Sequence, residues 1–180
     1  EDGNIVSDKY LTAIDATELV LSNGIKVIYK KTDFKNDEVL FKAFSPGGHS
    51  VAKDDNFISA NQAADIISQS GLGSFDQITL DKYLSDKNVT VKPYNDELFE
   101  GFEGKSNNKD LEILFQLIHL YFTSPNKDQI AFNTYKERLK GLIINNSNNP
   151  ERVFFDSVNV ITNNRHLREF PLDVNSLDKI

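Results

Sequence analysis

The chain contains three histidines, the side chains most often used in metal sites and in acid–base catalysis. His49 lies in a glycine-rich stretch, His119 in an apolar segment and His166 in a polar one. No two of them have the short spacing that would place both on neighbouring turns of a helix, so no two-histidine metal pair is predicted. Glu112 and His119 share a predicted helix face, which supplies at most half a metal site. We therefore expect His119 to be a packed, hydrogen-bonded core residue.

The other reactive groups also lack the arrangements that catalysis requires. No Gly-x-Ser-x-Gly segment is present to carry a serine nucleophile. The segment Ser-Pro-Gly-Gly at 45–48 lacks the lysine and the glycine spacing of a phosphate-binding loop, and we interpret it as a turn that ends a strand. The carboxylate pairs Glu97/Glu100 and Asp54/Asp55 are ordinary in an acidic chain, and nothing in the sequence makes them converge. The sequence therefore predicts no catalytic constellation.

Composition narrows the class of protein. The 180 residues are 39% hydrophobic and include 13 phenylalanines, enough for a substantial core. The net charge is −7 and the basic residues form no Lys/Arg block, which disfavours nucleic acids and anionic membranes as partners. No cysteine is present to form a disulfide or a thiolate metal site, and apolar runs are too short for a membrane span.

The spacing of apolar residues predicts five strands and five helices. Asn23-Gly24 lies between two alternating segments and is the strongest short-range hairpin signal. The predicted strands are 17–21, 25–30, 39–44, 89–94 and 98–104, and the predicted helices are 56–70, 80–84, 109–122, 127–146 and 151–160. Because the strands are grouped, we predict an α+β fold, a mainly antiparallel sheet with helices packed on one face.

The two ends of the chain and one helix carry further expectations. The polar segment 1–16 is predicted to be a linker from an upstream domain, and 17–180 a single domain. Apolar residues cover more than one stripe of helix 109–122, which is therefore predicted to be largely buried. Asp173 or Ser176 is expected to cap a short helix carrying Leu177 and Ile180. So short a helix is marginal alone, and we expect the domain to be incomplete at its C-terminus.

Several segments resemble one family of zinc metallopeptidases. The segment LSNGIKV at 21–27 resembles the opening hairpin of pitrilysin/insulinase-family domains. The segments TDFKNDE at 32–38 and FKAFSPGG at 41–48 are similar to the third of four domains in the PqqL-like bacterial branch. The segment LEILFQLIHLYFTSP at 111–125 continues the match. The resemblance spans about residues 19–171 and implies the pitrilysin/LuxS-like domain fold.

The resemblance also locates the catalytic motif that this chain has lost. Active members carry His-x-x-Glu-His on their first long helix, where both histidines bind zinc and the glutamate activates water. The matching window here has Gln62 and Ile66 in place of the histidines and Asp65 in place of the glutamate. The family's further glutamate ligand falls near 137–143. Glu137 lies in this region, and its alignment with that ligand stays open. The resemblance thus implies no catalytic, cofactor-binding or metal-binding residue in this chain.

What the resemblance implies for function is a non-catalytic domain that forms the inactive half of a peptide-enclosing chamber. Zinc is expected in the catalytic domain of the parent protein, which would hydrolyse peptides and be periplasmic or otherwise exported. The expected partners are that catalytic half or a homologous subunit, together with peptide substrate. Strand 39–44 and the Gly47-Gly48 loop are candidates for chamber-facing surface. Two alternatives stay open: a separate inactive subunit of a two-chain peptidase, and a stand-alone peptide-binding or structural module.

Overall fold

The first strands form the hairpin that the sequence predicts. Residues 3–180 are described by the structure, a computed structural model, and their contacts divide them between one unit ending at Asp37 and another beginning at Glu38. The first unit is an antiparallel sheet in the order β1 (Ile5–Leu11), β2 (Ala16–Leu21) and β3 (Lys26–Tyr29). Gly24 adopts a φ of 88° in the turn between β2 and β3. The side chain of Asn23 accepts a hydrogen bond from the amide of Ile25 (3.1 Å), which closes the turn.

Strand β1 lies inside the segment that we predicted as a linker, so that prediction was wrong for residues 5–11. Apolar residues do not alternate regularly there, and pairing with β2 decides the structure instead. Lys9 lies opposite Glu18 in this pairing, a favourable cross-strand charge pair. We predicted one domain over 17–180, whereas the contacts divide the chain between residues 37 and 38. That this domain is incomplete at its C-terminus remains a prediction.

The second unit is a three-stranded antiparallel sheet with five helices. The central strand is β6 (Phe99–Ser106), flanked by β4 (Val39–Pro46) and β5 (Val89–Asn95). The helices are α1 (Phe57–Ser68), α2 (Gln77–Leu84), α3 (Leu111–Thr123), α4 (Gln129–Ser147) and α5 (Pro150–Thr162). The predicted α+β class is confirmed, with two three-stranded sheets.

The core of the second unit lies between its sheet and α3. It is made of Leu72, Leu80, Val89, Leu114 and Leu117, which are all buried. On α3 the two core leucines are buried, and Ile113, Ile118, Leu120 and Tyr121 beside them are partly buried against the core. The prediction that this helix is largely buried was therefore wrong, since Phe115 and Phe122 on its other side are 52% and 73% exposed.

The C-terminal residues fold back against the helices. A short 3-10 helix, Val174–Lys179, packs against α1 and α4 and buries Leu177. Asp173 and Ser176 form a reciprocal capping box at its start, which confirms the predicted cap. The Ser59 hydroxyl of α1 donates to the carbonyl of Lys179 (2.6 Å), so this turn is tied to the helix that carries the degenerate motif.

Candidate functional site

The degenerate motif lies on α1, and its first residue takes part in a buried hydrogen bond. Gln62 is buried, and its Oε1 accepts from the Tyr135 hydroxyl on α4 (2.5 Å). The Gln62 Nε2 donates to the side chain of Asn61 (2.5 Å). Since a buried amide is costly unless it is paired, these two bonds make Gln62 compatible with its position between the helices. The window that we matched to the family's zinc motif thus contributes a side-chain link between α1 and α4.

Both helices are held in place independently of this link. The Asn95 amide at the end of β5 donates to the carbonyl of Ala60 and so anchors the first turn of α1 to the sheet (2.8 Å). The Asp128 carboxylate accepts from the amides of Ile130 and Ala131 and caps the start of α4. Tyr135 lies seven residues beyond this cap, on the side of α4 that is buried against α1.

The electrostatics keep the Tyr135 hydroxyl protonated. Burial is the main cause that raises the pKa of Tyr135, and the negative charge of Asp65 raises it further. The guanidinium of Arg138 lies 5.5 Å from the Tyr135 ring centroid and acts in the opposite direction. A neutral phenol donates a hydrogen bond to the Gln62 carbonyl oxygen, which suits a structural link better than an acid–base role.

The residues at this position do not fit a zinc ion. Ile66 has no lone pair, and the Gln62 oxygen is already engaged by Tyr135. Asp65 is exposed, as is Glu137 on α4. Glu137 follows Tyr135 by two positions, a rotation of about 200° around the helix, so it does not face α1. Among residues 3–180, no group of three or more His, Asp or Glu side chains is placed to hold a metal.

Sequence reasoning missed Tyr135, although a signal for it exists. Tyr135 and Ile143 are the buried residues of α4 and lie eight positions apart, as expected for one face of a helix. Reading this stripe would have selected Tyr135, rather than Glu137, as the residue that faces α1.

The three histidines lie in different settings. His119 is exposed, so the prediction that it is a packed core residue was wrong: Leu114 and Leu117 form the buried stripe of α3, and His119 shares the outer face with Glu112. His166 caps a 3-10 helix, Leu167–Glu169, by accepting from the amide of Arg168 (3.4 Å).

His49 belongs to the glycine-rich loop, which packs on the β5–β6 turn. Its backbone amide donates to the carbonyl of Asp96 (2.9 Å), and its ring meets the edge of Phe57 at 5.2 Å. Gly48 has a φ of 57°, and a Cβ there would overlap the Asp96 carbonyl oxygen. Segment 45–48 therefore ends β4 with a tight backbone contact. This agrees with its interpretation as a turn that ends a strand.

Arg168 holds the other side of the same loop, a role that no local pattern in the sequence predicts. Its guanidinium donates to the carbonyls of His49 (3.2 Å) and Ala52 (2.6 Å) and pairs with the carboxylate of Asp54 (2.9 Å). It also lies 4.9 Å from the ring centroid of Phe57. The Gly47-Gly48 loop is thus held between the sheet and the C-terminal segment, which limits the part of it that could contact a ligand.

The sheet of the second unit has one face turned away from α3. Phe41 packs against the core, so the alternate side chains of β4, Leu40, Lys42 and Phe44, project from the opposite face. Leu40 and Phe44 are exposed there. Strand 39–44, the predicted candidate surface, is therefore an edge strand with an exposed face. Helices long and apolar enough to cross a bilayer are absent from the described residues.

No protein-family model matches this chain, whereas relatives and solved structures do. The probable zinc protease PqqL of Haemophilus influenzae is 27% identical over 138 residues, which are 77% of this chain and 15% of that protein. The PQQL-like zinc protease of Arabidopsis thaliana is 34% identical over 90 residues, 50% of this chain and 9% of that protein.

The fold matches two solved proteases. The ferredoxin protease FusC, in complex with Arabidopsis ferredoxin, superposes with a TM-score of 0.80 at 18% identity, covering all of this chain and 20% of that one. The periplasmic protease PqqL of Escherichia coli superposes with a TM-score of 0.80 at 20% identity, covering 99% of this chain and 19% of that one. The chain thus spans about a fifth or less of each of these proteins. These similarities confirm the resemblance: the chain is similar in sequence to PqqL-like zinc proteases and shares its fold with two solved proteases.

Proposed function

We propose that this chain is a non-catalytic domain of a zinc metalloendopeptidase and forms the inactive half of a peptide-enclosing chamber. The observation that carries the proposal is the Gln62–Tyr135 hydrogen bond at the position of the family's zinc motif. An oxygen that could have bound a metal is there committed to a phenol, and Ile66 replaces a histidine. The helix pair is kept while its catalytic groups are replaced, as expected if the domain is needed for shape rather than for chemistry.

The partner in this proposal is a catalytic half that carries the intact zinc motif. Similarity that covers nearly all of this chain and a fifth or less of its relatives supports a place within a longer protease. The proposal places the parent protein in the periplasm or another exported location, supported by the periplasmic PqqL among the similar structures. The complete coding sequence distinguishes a single polypeptide from two subunits: His-x-x-Glu-His in the same reading frame supports the former.

A metal and activity assay tests the non-catalytic role. The purified chain is incubated with zinc, and both bound zinc and cleavage of an unstructured fluorogenic peptide are measured with and without chelator. We expect no stoichiometric zinc and no chelator-sensitive cleavage. Asp65→Asn is the matched control, since Asp65 is the only motif position that keeps a carboxylate. Chelator-sensitive cleavage by the wild-type chain that Asp65→Asn abolishes would overturn the proposal.

A further inference from the structure

One face of the second sheet combines an aromatic surface with free lysines. In the strand register, Leu40, Lys105 and Thr90 form one row across β4, β6 and β5. The next rows are Lys42, Glu103 and Lys92, then Phe44, Gly101 and Tyr94. We call these nine residues, with Phe99 beside Phe44, the open sheet face. Because side chains two apart on a strand share a face, all of them project away from α3.

The aromatic part of this face is preformed. The rings of Phe44 and Phe99 meet edge to face with centroids 5.9 Å apart. The Tyr94 hydroxyl reaches across the central strand and donates to the Ala43 carbonyl (3.0 Å). This crossing is possible because Gly101 lies between them and has no side chain. The result is an exposed aromatic cluster, of which Phe44 is 69% exposed.

The charged part of the face is basic, although the chain as a whole carries a net charge of −7. Lys42 forms an ion pair with Glu103 (2.5 Å) and lies 5.1 Å from the Tyr94 ring centroid. Lys92 and Lys105 are exposed and form no ion pair within the part of the chain that the structure describes. Asp96 directly follows β5 and acts electrostatically on Lys42 and Tyr94, so a negative charge adjoins the aromatic end of the face.

We propose that the open sheet face binds extended peptide segments that present acidic and then aromatic residues at every second position, along one side of the peptide. An extended peptide presents side chains at about 6.6–6.8 Å intervals on each side, which matches the spacing of successive rows in the sheet. Aromatic side chains of the peptide stack on Phe44, Phe99 and Tyr94, and its carboxylates pair with Lys92 and Lys105. The inference rests on the proposed function, because it names the surface through which a non-catalytic domain would hold substrate.

Peptide binding by the whole 180-residue chain tests this inference. The probe is a fluorescein-labelled peptide of about twelve residues that repeats Glu-Ser-Glu-Ser-Phe-Ser, so that Glu and Phe lie on one side, and the comparison peptide carries Lys for Glu. Fluorescence anisotropy should show about tenfold tighter binding of the acidic peptide at low salt, since two ion pairs of modest strength give that ratio. Lys92→Glu with Lys105→Glu should reverse the preference. Phe44→Ser with Phe99→Ser should weaken binding of the acidic peptide about fivefold or more.

The chain offers a matched control for nonspecific binding of peptides to exposed aromatic side chains. Phe154 and Phe155 on α5 form a second exposed aromatic pair, with ring centroids 5.5 Å apart. Phe154→Ser with Phe155→Ser should leave peptide affinity unchanged. Equal binding of both peptides, or an equal loss in the control variant, overturns the inference. So does a dimer in sedimentation that Phe44→Ser with Phe99→Ser dissociates, because a second copy then occupies the face.

Failure of the inference is distinguishable from failure of the proposed function. If the chain binds neither peptide but raises the peptidase activity of a catalytic half added to it, the surface is misassigned and the non-catalytic role stands. Chelator-sensitive cleavage by the chain itself would instead refute the non-catalytic role, whatever the peptide affinities are.

Discussion

The two faces of the second sheet differ in what their side chains do. On the side of α3, Leu114 is fully buried and Phe102 nearly so, whereas on the other side Phe44 projects into solvent. Both faces are rich in large apolar residues, so composition does not distinguish them. Burial therefore decides the role: the covered side chains stabilise the domain, and the exposed ones can contact a ligand. Substitutions on the two sides should therefore separate stability from binding.

The largest expected effect is on the covered side. Leu114→Ala removes a fully buried side chain from the core and should lower the free energy of unfolding by about 3 kcal/mol, from lost burial and the cavity left behind. Phe44→Ala on the open face should cost less than about 1 kcal/mol. Urea unfolding followed by circular dichroism measures both. Similar losses for the two variants would mean that the open face is covered and that the contrast is false.

A second comparison concerns the loop between β4 and α1. Arg168→Ala removes a guanidinium that binds two carbonyls of this loop and pairs with Asp54, and it should cost about 2 kcal/mol. Hydrogen exchange of residues 47–54 should accelerate at the same time. Arg152→Ala is the control, because its pair with Asp156 is partly exposed and should contribute about 0.5 kcal/mol or less. An equal effect of the two variants would contradict the assigned role of Arg168.

The hydrogen bond between Gln62 and Tyr135, which links α1 and α4, should contribute less to the free energy of unfolding than the contacts of Arg168. Tyr135→Phe leaves the Gln62 oxygen buried without a donor, which should cost about 1–2 kcal/mol in urea unfolding. Adding Gln62→Leu removes the unpaired Gln62 oxygen. The double variant should therefore lose less free energy of unfolding than the sum of the losses in the two single variants. Tyr83→Phe, at an exposed position, is the control and should have no measurable effect. Additive losses would argue against a direct hydrogen bond between the two side chains.

The sequence predicted the order of the elements well because hairpin turns and helical periodicity are local signals. The Asn23-Gly24 turn and the Pro150 start of α5 are examples. It failed where a partner elsewhere in the chain decides the outcome. Strand β1 depends on pairing with β2, and the exposure of His119 depends on which stripe of α3 meets the sheet. Arg168 was missed for the same reason, since Ala52 lies 116 positions away; the helical stripe of α4 marks Tyr135 itself but not its partner, 73 positions away.

The smallest expected effect comes from helix capping and appears as a dependence on pH. The Asp76 carboxylate accepts from the amide of Thr79 (2.7 Å) at the start of α2. Hydrogen bonding to Thr79, first to its side chain and then to its backbone, lowers the pKa of Asp76. A lowered folded-state pKa means that the stabilisation is complete above the unfolded value of about 3.9 and is lost as the pH falls through the folded value.

Asp76→Asn tests this dependence because the amide oxygen keeps the cap without titrating. The free energy of unfolding should therefore fall less steeply between about pH 5 and pH 2 in the variant than in the wild type. Asp173, whose pKa is lowered by hydrogen bonds to Ser176, gives a second instance in which Asp173→Asn should change the slope in the same direction. Urea unfolding across this pH range measures both. Parallel curves for the wild type and both variants would show that these carboxylates titrate alike in the folded and unfolded chains.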